Sequence, residues 1–513
     1  MIEAEVHSSL REFLRAQGQP GWPHHLTMAR LVARALRLGR SALIQTGTSQ
    51  GRYNLSYLTP ALLWKEGVIL VTPLANQKKI LQEVIPPLQV WLETNKTICT
   101  EDCLPIPEDF NGLLLISPAT WLAARLSNQA LFPLGLTTLI PQADKLEAWT
   151  RQHLTTTLTL EDWQLMMADY PHLADLIRDV RVQLTKAIFA HPQNPYECYL
   201  LEAKEREQLN ELFHALKPEI NPLKVNFWQQ CQSQEQLAWA SVTRPKGNFT
   251  LHCAPVTVHD ALSPLWQQQP VVLMGSFLDQ ENQASIYRQQ IGLSEDITCV
   301  KFSPHRQTEH IQLYLPDFFP LPNTPQFRNA LMQELATLLN YRGEFTHREE
   351  YQSLPGKPNL SGEKLVVIII DDVPLKAQVG SNLAAQFGSL VQVEKPNLMP
   401  GGILITGWQF WQQHQESLPV PQLLVIATLP LPSLENPLVA GRVAYYKSKR
   451  QDWFRLYLLP TAVQEIQRAI LPLRESQGVA ALLDSRVNYR SYGKEILKAL
   501  EPYAKINYLD SWW

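Results

Sequence analysis

Several residue classes are scarce in this 513-residue sequence, and each scarcity narrows the kind of protein it encodes. Its six cysteines are too few for a disulfide framework in a chain of this length, so we expect a reducing compartment, namely the cytoplasm. The longest apolar runs, such as 113–116 and 365–370, are far too short to cross a bilayer, and no membrane association is expected. The first 17 residues contain acids and predict an amphipathic helix rather than a signal peptide.

An excess of charge of either sign is also missing. The net charge is −3, so nucleic-acid binding has to depend on local basic patches rather than on a global field. One basic patch is predicted between Phe13 and Lys65, a segment that contains no Asp or Glu. In this segment Arg30, Arg34 and Arg37 share one face of a predicted helix. The 13 histidines show no spacing typical of metal ligands, and no metal site is expected.

A second basic cluster lies in the last quarter of the chain. Its aromatic residues are Tyr445, Tyr446 and Trp453, and its single acid is Asp452. The cations are Arg442, Lys447, Lys449, Arg450 and Arg455. Nucleobases stack on such rings while cations meet phosphates, so the cluster predicts nucleic-acid binding; a solvated basic face is the alternative.

Short apolar runs, each followed by a turn and a helical pattern, divide the chain into two groups of predicted strands. The first group is Ser41–Gln45, Gly67–Val71, Gly112–Ile116 and Thr137–Ile140. The second group is Val271–Met274, Lys364–Ile370, Gly402–Thr406, Leu423–Ala427 and Val479–Leu483. Strands that alternate with helices predict parallel α/β sheets. We therefore expect one α/β domain over 1–150, a helical insertion over 151–235, a return to the first sheet over 236–285 and a second α/β domain over 286–513.

A glycine-rich turn follows the first predicted strand. Its sequence, Thr46–Tyr53, approximates the phosphate-binding pattern G-x-x-x-x-G-K-[ST], but its glycines are one residue too close together. Arg52 replaces the lysine that would meet the phosphates, and Tyr53 replaces the small hydroxyl that would bind Mg²⁺. The candidate phosphate-binding residues are Gly47, Thr48, Gly51 and Arg52. The turn alone is also compatible with a chance glycine-rich sequence.

The neighbouring segments resemble the DinG-type helicases of superfamily 2, relatives of XPD. Along the chain the matching stretches are Trp22–Ala29, Thr46–Arg52, Tyr57–Leu62, Val71–Pro73, Leu251–Pro255, Val271–Leu278, Ile291–Leu293, Phe410–Trp411, Leu429–Pro432, Asn436–Leu438, Leu459–Pro460 and Leu483–Arg486. The resemblance implies two RecA-like domains, with the insertion as a shortened arch, and an ATP- and Mg²⁺-dependent 5′→3′ DNA-unwinding activity. It also places Thr72 against the backbone of single-stranded DNA.

The residues that carry ATP hydrolysis in this family are replaced here. At the D-E-A-H motif this chain has Pro141, Gln142, Ala143 and Asp144, so both catalytic carboxylates are missing. In Q-x-x-G-R-x-x-R, Gln467 and Arg474 match the ends, but Leu471 replaces the arginine finger.

Two further replacements concern binding groups of the family. His25 stands where an adenine-reading glutamine is expected. Only Cys99 and Cys103 lie in the interval of the family's iron–sulfur cluster, so no cluster is expected.

These losses favour a helicase homologue that binds nucleic acid or a protein partner without turnover. No catalytic residue is assigned, and ATP with Mg²⁺ is expected from the resemblance alone. Single-stranded or duplex DNA and a protein are the expected partners. Two alternatives stay open: an active but atypical ATP-dependent DNA helicase, and a pure protein-interaction scaffold.

Overall fold

The structure is a computed structural model that describes residues 2–18, 22–127, 129–216, 222–233, 235–306, 309–343 and 365–506. The strands are β1 (Ala42–Gln45), β2 (Val68–Val71), β3 (Ile98–Cys99), β4 (Leu113–Ile116), β5 (Thr137–Ile140), β6 (Thr156–Leu158), β7 (Cys198–Leu200), β8 (Gln236–Thr243), β9 (Asn248–Pro255), β10 (Val271–Gly275), β11 (Thr298–Lys301), β12 (Ile311–Tyr314), β13 (Val366–Ile369), β14 (Val391–Val393), β15 (Ile403–Thr406), β16 (Leu423–Ile426), β17 (Val479–Leu482) and β18 (Tyr503–Ile506).

The α-helices are α1 (Ile2–Gln17), α2 (His25–Leu38), α3 (Gln50–Leu63), α4 (Leu74–Lys79), α5 (Ile85–Trp91), α6 (Pro118–Leu126), α7 (Leu146–Leu154), α8 (Leu160–Asp169), α9 (Ala174–Ala190), α10 (Ala203–Leu216), α11 (Pro222–Cys231), α12 (His259–Gln268), α13 (Ser285–Ile291), α14 (Phe327–Gly343), α15 (Val373–Phe387), α16 (Trp408–His414), α17 (Pro437–Ser448), α18 (Leu459–Ala469), α19 (Leu471–Ser476), α20 (Arg486–Tyr489) and α21 (Gly493–Leu500). Short π-helical turns span Ile80–Val84 and Phe454–Leu458.

Two compact units make up the chain. The first contains Met1–Gln45, Gln50–Val300 and Pro432–Tyr457, and the second contains Thr46–Ser49, Lys301–Leu431 and Leu458–Trp513. The first unit thus extends past the boundary expected at residue 285, because β11 adds to its sheet. It also takes in the segment around α17, which packs on β7 and β8.

The first unit is built on a seven-stranded sheet in the order β11-β1-β10-β5-β2-β4-β3. Pairing from β1 to β3 is parallel, with Ala42 beside Val272 and Val68 beside Leu113. Every residue of β2, β4 and β5 is buried, as continuous apolar runs covered by helices on both faces require. The strands expected from the first group of runs and from Val271–Met274 are confirmed in this sheet.

The insertion in the first unit is not purely helical. Helices α8 to α11 lie beside a four-stranded antiparallel sheet in the order β6-β9-β8-β7, and the chain returns to the main sheet with β10 and β11. The residues of β8 alternate between more and less buried positions, which is typical of a sheet covered on one face. A separate apolar core, including Trp163, Leu212 and Trp228, fills the space between this sheet and its helices. The expectation of a helical segment over 151–235 therefore missed the sheet.

The second unit is a seven-stranded parallel sheet in the order β14-β15-β13-β16-β17-β12-β18. Its core includes Leu331, Ile368, Ile405, Val425 and Leu483. The four strands expected here from apolar runs are confirmed, and the two parallel-sheet units confirm the α/β fold class.

A close backbone approach at the start of β2 gives a test of the packing in the first unit. A Cβ atom on Gly67 would lie 2.4 Å from the carbonyl oxygen of Phe110, whereas a Cβ atom on Gly135 would meet nothing within 4 Å. We expect Gly67→Ala to lower the free energy of unfolding by about 1–3 kcal/mol because the backbone has to shift. Gly135→Ala is the control, and equal denaturation midpoints for the two variants would contradict this packing.

Candidate functional site

The glycine-rich turn joins β1 to α3, as expected for a phosphate-binding loop: β1 ends at Gln45 and α3 begins at Gln50. Gly47 has a φ of 65°, in the left-handed region that favours glycine. A Cβ atom on Gly47 would lie only 2.9 Å from the carbonyl oxygen of Phe302. Thr48 is buried, with 2% of its surface exposed. A carbonyl oxygen therefore lies against this turn, where a phosphate cradle requires hydrogen-bond donors.

Tyr53, on the first turns of α3, is the most informative side chain of the candidate site. It is 1% exposed, and its hydroxyl donates a hydrogen bond of 2.5 Å to the carbonyl oxygen of Pro141, directly after β5. Its ring also packs beside Trp22 and Tyr57, at centroid distances of 6.2 and 6.1 Å. The segment after β1 thus meets the segment after β5, as the resemblance requires, but the two are joined by a phenol and a carbonyl group.

The segment that replaces the D-E-A-H motif is held by a second buried phenol. The hydroxyl of Tyr287 donates to the carbonyl oxygen of Ala143 at 2.6 Å, and burial raises the pKa of Tyr287 well above its ordinary value. Gln142 is 8% exposed, and its Oε1 has no hydrogen-bond partner among the described residues. Asp144 is half-buried beside Gly275, where an added Cβ atom would lie 3.2 Å from its Oδ1.

These residues do not fit an Mg²⁺–ATP complex. Mg²⁺ in proteins is held by carboxylates and water in a nearly octahedral arrangement, and neither position 141 nor position 142 carries a carboxylate. The buried Tyr53 ring stands at the position of the small magnesium-binding hydroxyl. In the part of the chain that the structure describes, no three His, Cys, Asp or Glu side chains are grouped to hold a metal.

His25, at the expected adenine-reading position, is 4% exposed at the start of α2. Its Nδ1 lies 2.8 Å from the hydroxyl oxygen of Ser56 on α3. Burial and, to a smaller extent, the charge on Arg52 lower the pKa of His25 to about 4. The ring is therefore neutral at physiological pH and is engaged within the protein.

In the second unit, the residues at the family's arginine-finger motif are used for packing. Arg474 is 3% exposed, and its guanidinium donates to the carbonyl oxygens of Glu309, Leu500, Glu501 and Pro502 at 2.8–3.2 Å. Gln467 donates to the carbonyl oxygen of Ala499, and Leu471 offers no polar group. Burial lowers the pKa of Arg474 to about 10, which leaves it charged at neutral pH.

Of the residues expected to contact nucleic acid, one is buried and one is partly buried in the first unit. Thr72 is fully buried after β2, where its carbonyl oxygen accepts a hydrogen bond from Gln77. Arg442 on α17 donates to Glu147 on α7 at 2.7 Å, and its guanidinium lies 4.1 Å from the centre of the Tyr457 ring. Neither residue belongs to the exposed basic surface.

Sequence reasoning did not single out Glu147, although its i,i+4 spacing to Arg151 was a usable signal. The carboxylate accepts from Arg151 at 2.6 Å and from Arg442 at 2.7 Å. Burial raises the pKa of Glu147, but the two guanidinium groups outweigh this effect and lower the pKa to about 2. This ion-pair cluster anchors α17 to α7.

The remaining cations of the second cluster lie on the surface at the end of α17. Lys447, Lys449 and Arg450 are exposed. The Lys447 ammonium lies 5.2 Å from the centre of the Trp453 ring, and Lys449 pairs with Glu235 at 3.1 Å. We call Lys447, Arg450 and Trp453 the α17 tip; it combines positive charge with an aromatic ring.

The buried phenol provides a test of this site. Tyr53→Phe removes the hydroxyl and leaves the Pro141 carbonyl without its donor, so we expect the free energy of unfolding to fall by about 1–3 kcal/mol. Tyr196→Phe, at a partly exposed ring in the same unit, is the control and should change it little. Denaturant titration followed by tryptophan fluorescence measures both, and an unchanged Tyr53→Phe midpoint would argue against the hydrogen bond.

The neutral imidazole provides a second test. The pKa of His25 is about 4 in the folded chain and 6.5 ordinarily, so the unfolded chain binds more protons between these values. Stability is therefore expected to fall as the pH falls from 6.5 towards 4, by about 3 kcal/mol at most. His25→Gln should remove this part of the pH dependence, and NMR titration should find one imidazole that protonates near pH 4. An imidazole that titrates near 6.5 would exclude the burial described for His25.

Comparisons with known proteins agree with this architecture. A family model described as helicase C-terminal domain matches residues 419–503. The ATP-dependent DNA helicase YoaA of Haemophilus influenzae is 23% identical over 261 residues, 49% of this chain and 39% of that protein. YoaA of Escherichia coli is 21% identical over 292 residues, 55% and 42% of the two chains. The alignments thus span about two fifths of the length of these relatives.

Solved structures of XPD proteins share the fold. The structure of S. tokodaii Xpd4 aligns with a TM-score of 0.57 at 13% identity, covering 94% of this chain and 100% of that one. A structure of an XPD helicase aligns with a TM-score of 0.54 at 11% identity, covering 94% and 99%. The two parallel-sheet units therefore have the RecA-like fold. Together with the matched helicase C-terminal domain and the YoaA relatives, this fold makes the chain similar to the XPD/DinG-like helicases of superfamily 2.

Proposed function

We propose that this chain is a helicase homologue that binds nucleic acid and does not hydrolyse ATP. The observation that carries the proposal is the hydrogen bond from the Tyr53 hydroxyl to the Pro141 carbonyl. In the family pattern these two positions supply the hydroxyl and the carboxylate around Mg²⁺. A phenol and a carbonyl group form a hydrogen bond in which neither group carries a negative charge. The pair therefore provides no anionic group to neutralise a divalent cation.

The other positions of the ATPase machinery do not compensate for this pair. Gln142 has no carboxylate to polarise water, and the two terminal nitrogens of Arg474 donate to four backbone carbonyl groups. His25 is neutral and bonded to Ser56. Phosphoryl transfer depends on several groups that together position the reactants and stabilise the charge of the transition state. When these groups are lost together, one remaining arginine does not restore that stabilisation.

Nucleic-acid binding is supported by the surfaces that remain. The α17 tip presents Lys447 and Arg450 beside the Trp453 ring, a combination suited to phosphates and bases. Arg30 and Arg34 form an exposed basic row on α2. The named function of the YoaA relatives, ATP-dependent DNA helicase, favours DNA as the nucleic acid. We take single-stranded DNA as the first ligand to test and duplex DNA as its competitor.

The absence of turnover is tested by phosphate release. Purified chain with Mg²⁺, ATP and saturating single-stranded DNA should release no more phosphate than a protein-free blank. Arg52→Ala is prepared in parallel, because contaminating ATPases are unaffected by that change. A DNA-stimulated rate that Arg52→Ala abolishes would identify the chain as the active, atypical helicase instead.

Binding at the α17 tip is tested by salt-dependent titration of labelled single-stranded DNA. The double variant Lys447→Gln, Arg450→Gln should bind more weakly, and the slope of log affinity against log salt should fall by roughly 1.4, because each lost phosphate contact contributes about 0.7. Lys186→Gln, at an exposed lysine on α9, is the control. If the unaltered chain shows no salt-sensitive binding, the nucleic-acid proposal fails and an interaction scaffold is favoured.

A further inference from the structure

The second unit exposes a phenylalanine to an unusual degree. Phe318 is 94% exposed in the loop after β12, while the adjacent Phe319 is 7% exposed and packs edge-on against Phe327 in the core. Pro316 and Pro320 flank this pair and restrict the backbone. The buried ring of Phe319 thus anchors the loop, and the adjacent ring of Phe318 faces solvent.

A tyrosine from the segment that follows the neighbouring strand β17 lies against the same loop. Tyr489, at the end of α20, is 57% exposed, and its hydroxyl donates to the carbonyl oxygen of Asp317 at 3.1 Å. Asn488 donates to the carbonyl oxygen of Pro316 at 3.2 Å. Because β12 and β17 are adjacent and parallel, both segments leave the sheet at the same edge. We call Phe318 and Tyr489 the aromatic edge.

The charges around the aromatic edge favour an anionic ligand. Its acids, Asp317 and Asp484, are each paired with a cation: Lys505 at 3.2 Å and Arg486 at 2.6 Å, respectively. Arg490 and Lys494 are exposed beyond Tyr489, and residues 485–494 contain no acid. Two solvent-facing rings with cations beside them match the pattern by which proteins stack bases and hold the connecting phosphates.

We propose that the aromatic edge is a stacking site for unpaired bases of single-stranded nucleic acid, with Phe318 as the principal platform and Arg490 as a phosphate contact. This site is distinct in sequence and in compact unit from the α17 tip. The proposal rests on the proposed nucleic-acid-binding function and adds a base-contacting residue to it. Because Phe318 is 94% exposed, a stacked base would cover an aromatic face that the fold leaves open to solvent.

The test uses the full chain and single-stranded DNA that contains 2-aminopurine, whose fluorescence falls when the base stacks on an aromatic ring. The unaltered chain should quench this fluorescence. Phe318→Ala should lose the quenching and bind about 10- to 100-fold more weakly. Phe318→Trp should keep both, because a larger ring still stacks. The control is Val420→Ala, an exposed apolar residue just before the amino end of β16.

Two further readouts separate the outcomes. Arg490→Gln should lower the salt dependence of binding by roughly 0.7 in slope while leaving the quenching in place. Thermal midpoints of all variants should match that of the unaltered chain, because Phe318 and Arg490 are exposed. If Phe318→Ala binds and quenches like the unaltered chain, the stacking site is excluded while nucleic-acid binding stands. If neither the unaltered chain nor any variant binds DNA, both the proposed function and the proposed stacking site are excluded.

Discussion

The carboxyl ends of parallel strands lie at the same edge of their sheet, and this constraint determines which segments of the first unit come into contact. β1 and β5 lie on either side of β10, so the segments that follow them are brought together regardless of their sequence. In this chain the meeting groups are Tyr53 and Pro141, and a single short hydrogen bond joins them. Neutral groups therefore meet at this edge of the sheet, where the resemblance implies charged and hydroxyl groups. A second phenol, Tyr287, holds the same segment at Ala143.

Several ionisable groups that could bind ligands instead form ion pairs or hydrogen bonds inside the protein. A buried charge is costly unless it is paired and hydrogen-bonded. Glu147 meets this requirement with two guanidinium groups, and Arg474 meets it with four backbone carbonyl groups. These charges fix α17 on the first unit and the last turns of the second unit in place. The hydrogen-bonding groups of Glu147 and Arg474 are thus engaged by partners within the protein.

The charges and rings that remain at the surface are arranged by the same packing. The Arg442–Glu147 pair sets the position of α17, and α17 in turn carries Lys447 and Arg450 at its exposed end. Phe319 anchors a loop in the second core, and its neighbour Phe318 faces solvent as a result. The same packing thus engages some polar groups inside the protein and leaves other cations and rings exposed, and the proposal of binding without turnover depends on this division.

The sequence by itself determined the nine principal strands, because continuous apolar runs of four to six residues are stable only when buried on both faces. It also determined the resemblance to the DinG-type helicases and the absence of carboxylates at 141 and 142, since both depend on residue identity alone. Short edge strands such as β3 and β14 escaped detection because two or three residues carry no periodicity. The antiparallel sheet of the insertion was hidden among helical segments.

Only the tertiary structure decided which polar residues are available. Arg442 and Lys447 look equivalent in sequence, yet Arg442 is partly buried and paired with Glu147, which is far away along the chain, whereas Lys447 is exposed. Thr72 and Tyr53 likewise acquire their burial from strands and helices that no local pattern specifies. The physical reason is that a local sequence sets which segments form strands or helices, whereas the partner of a buried polar group is set by long-range packing.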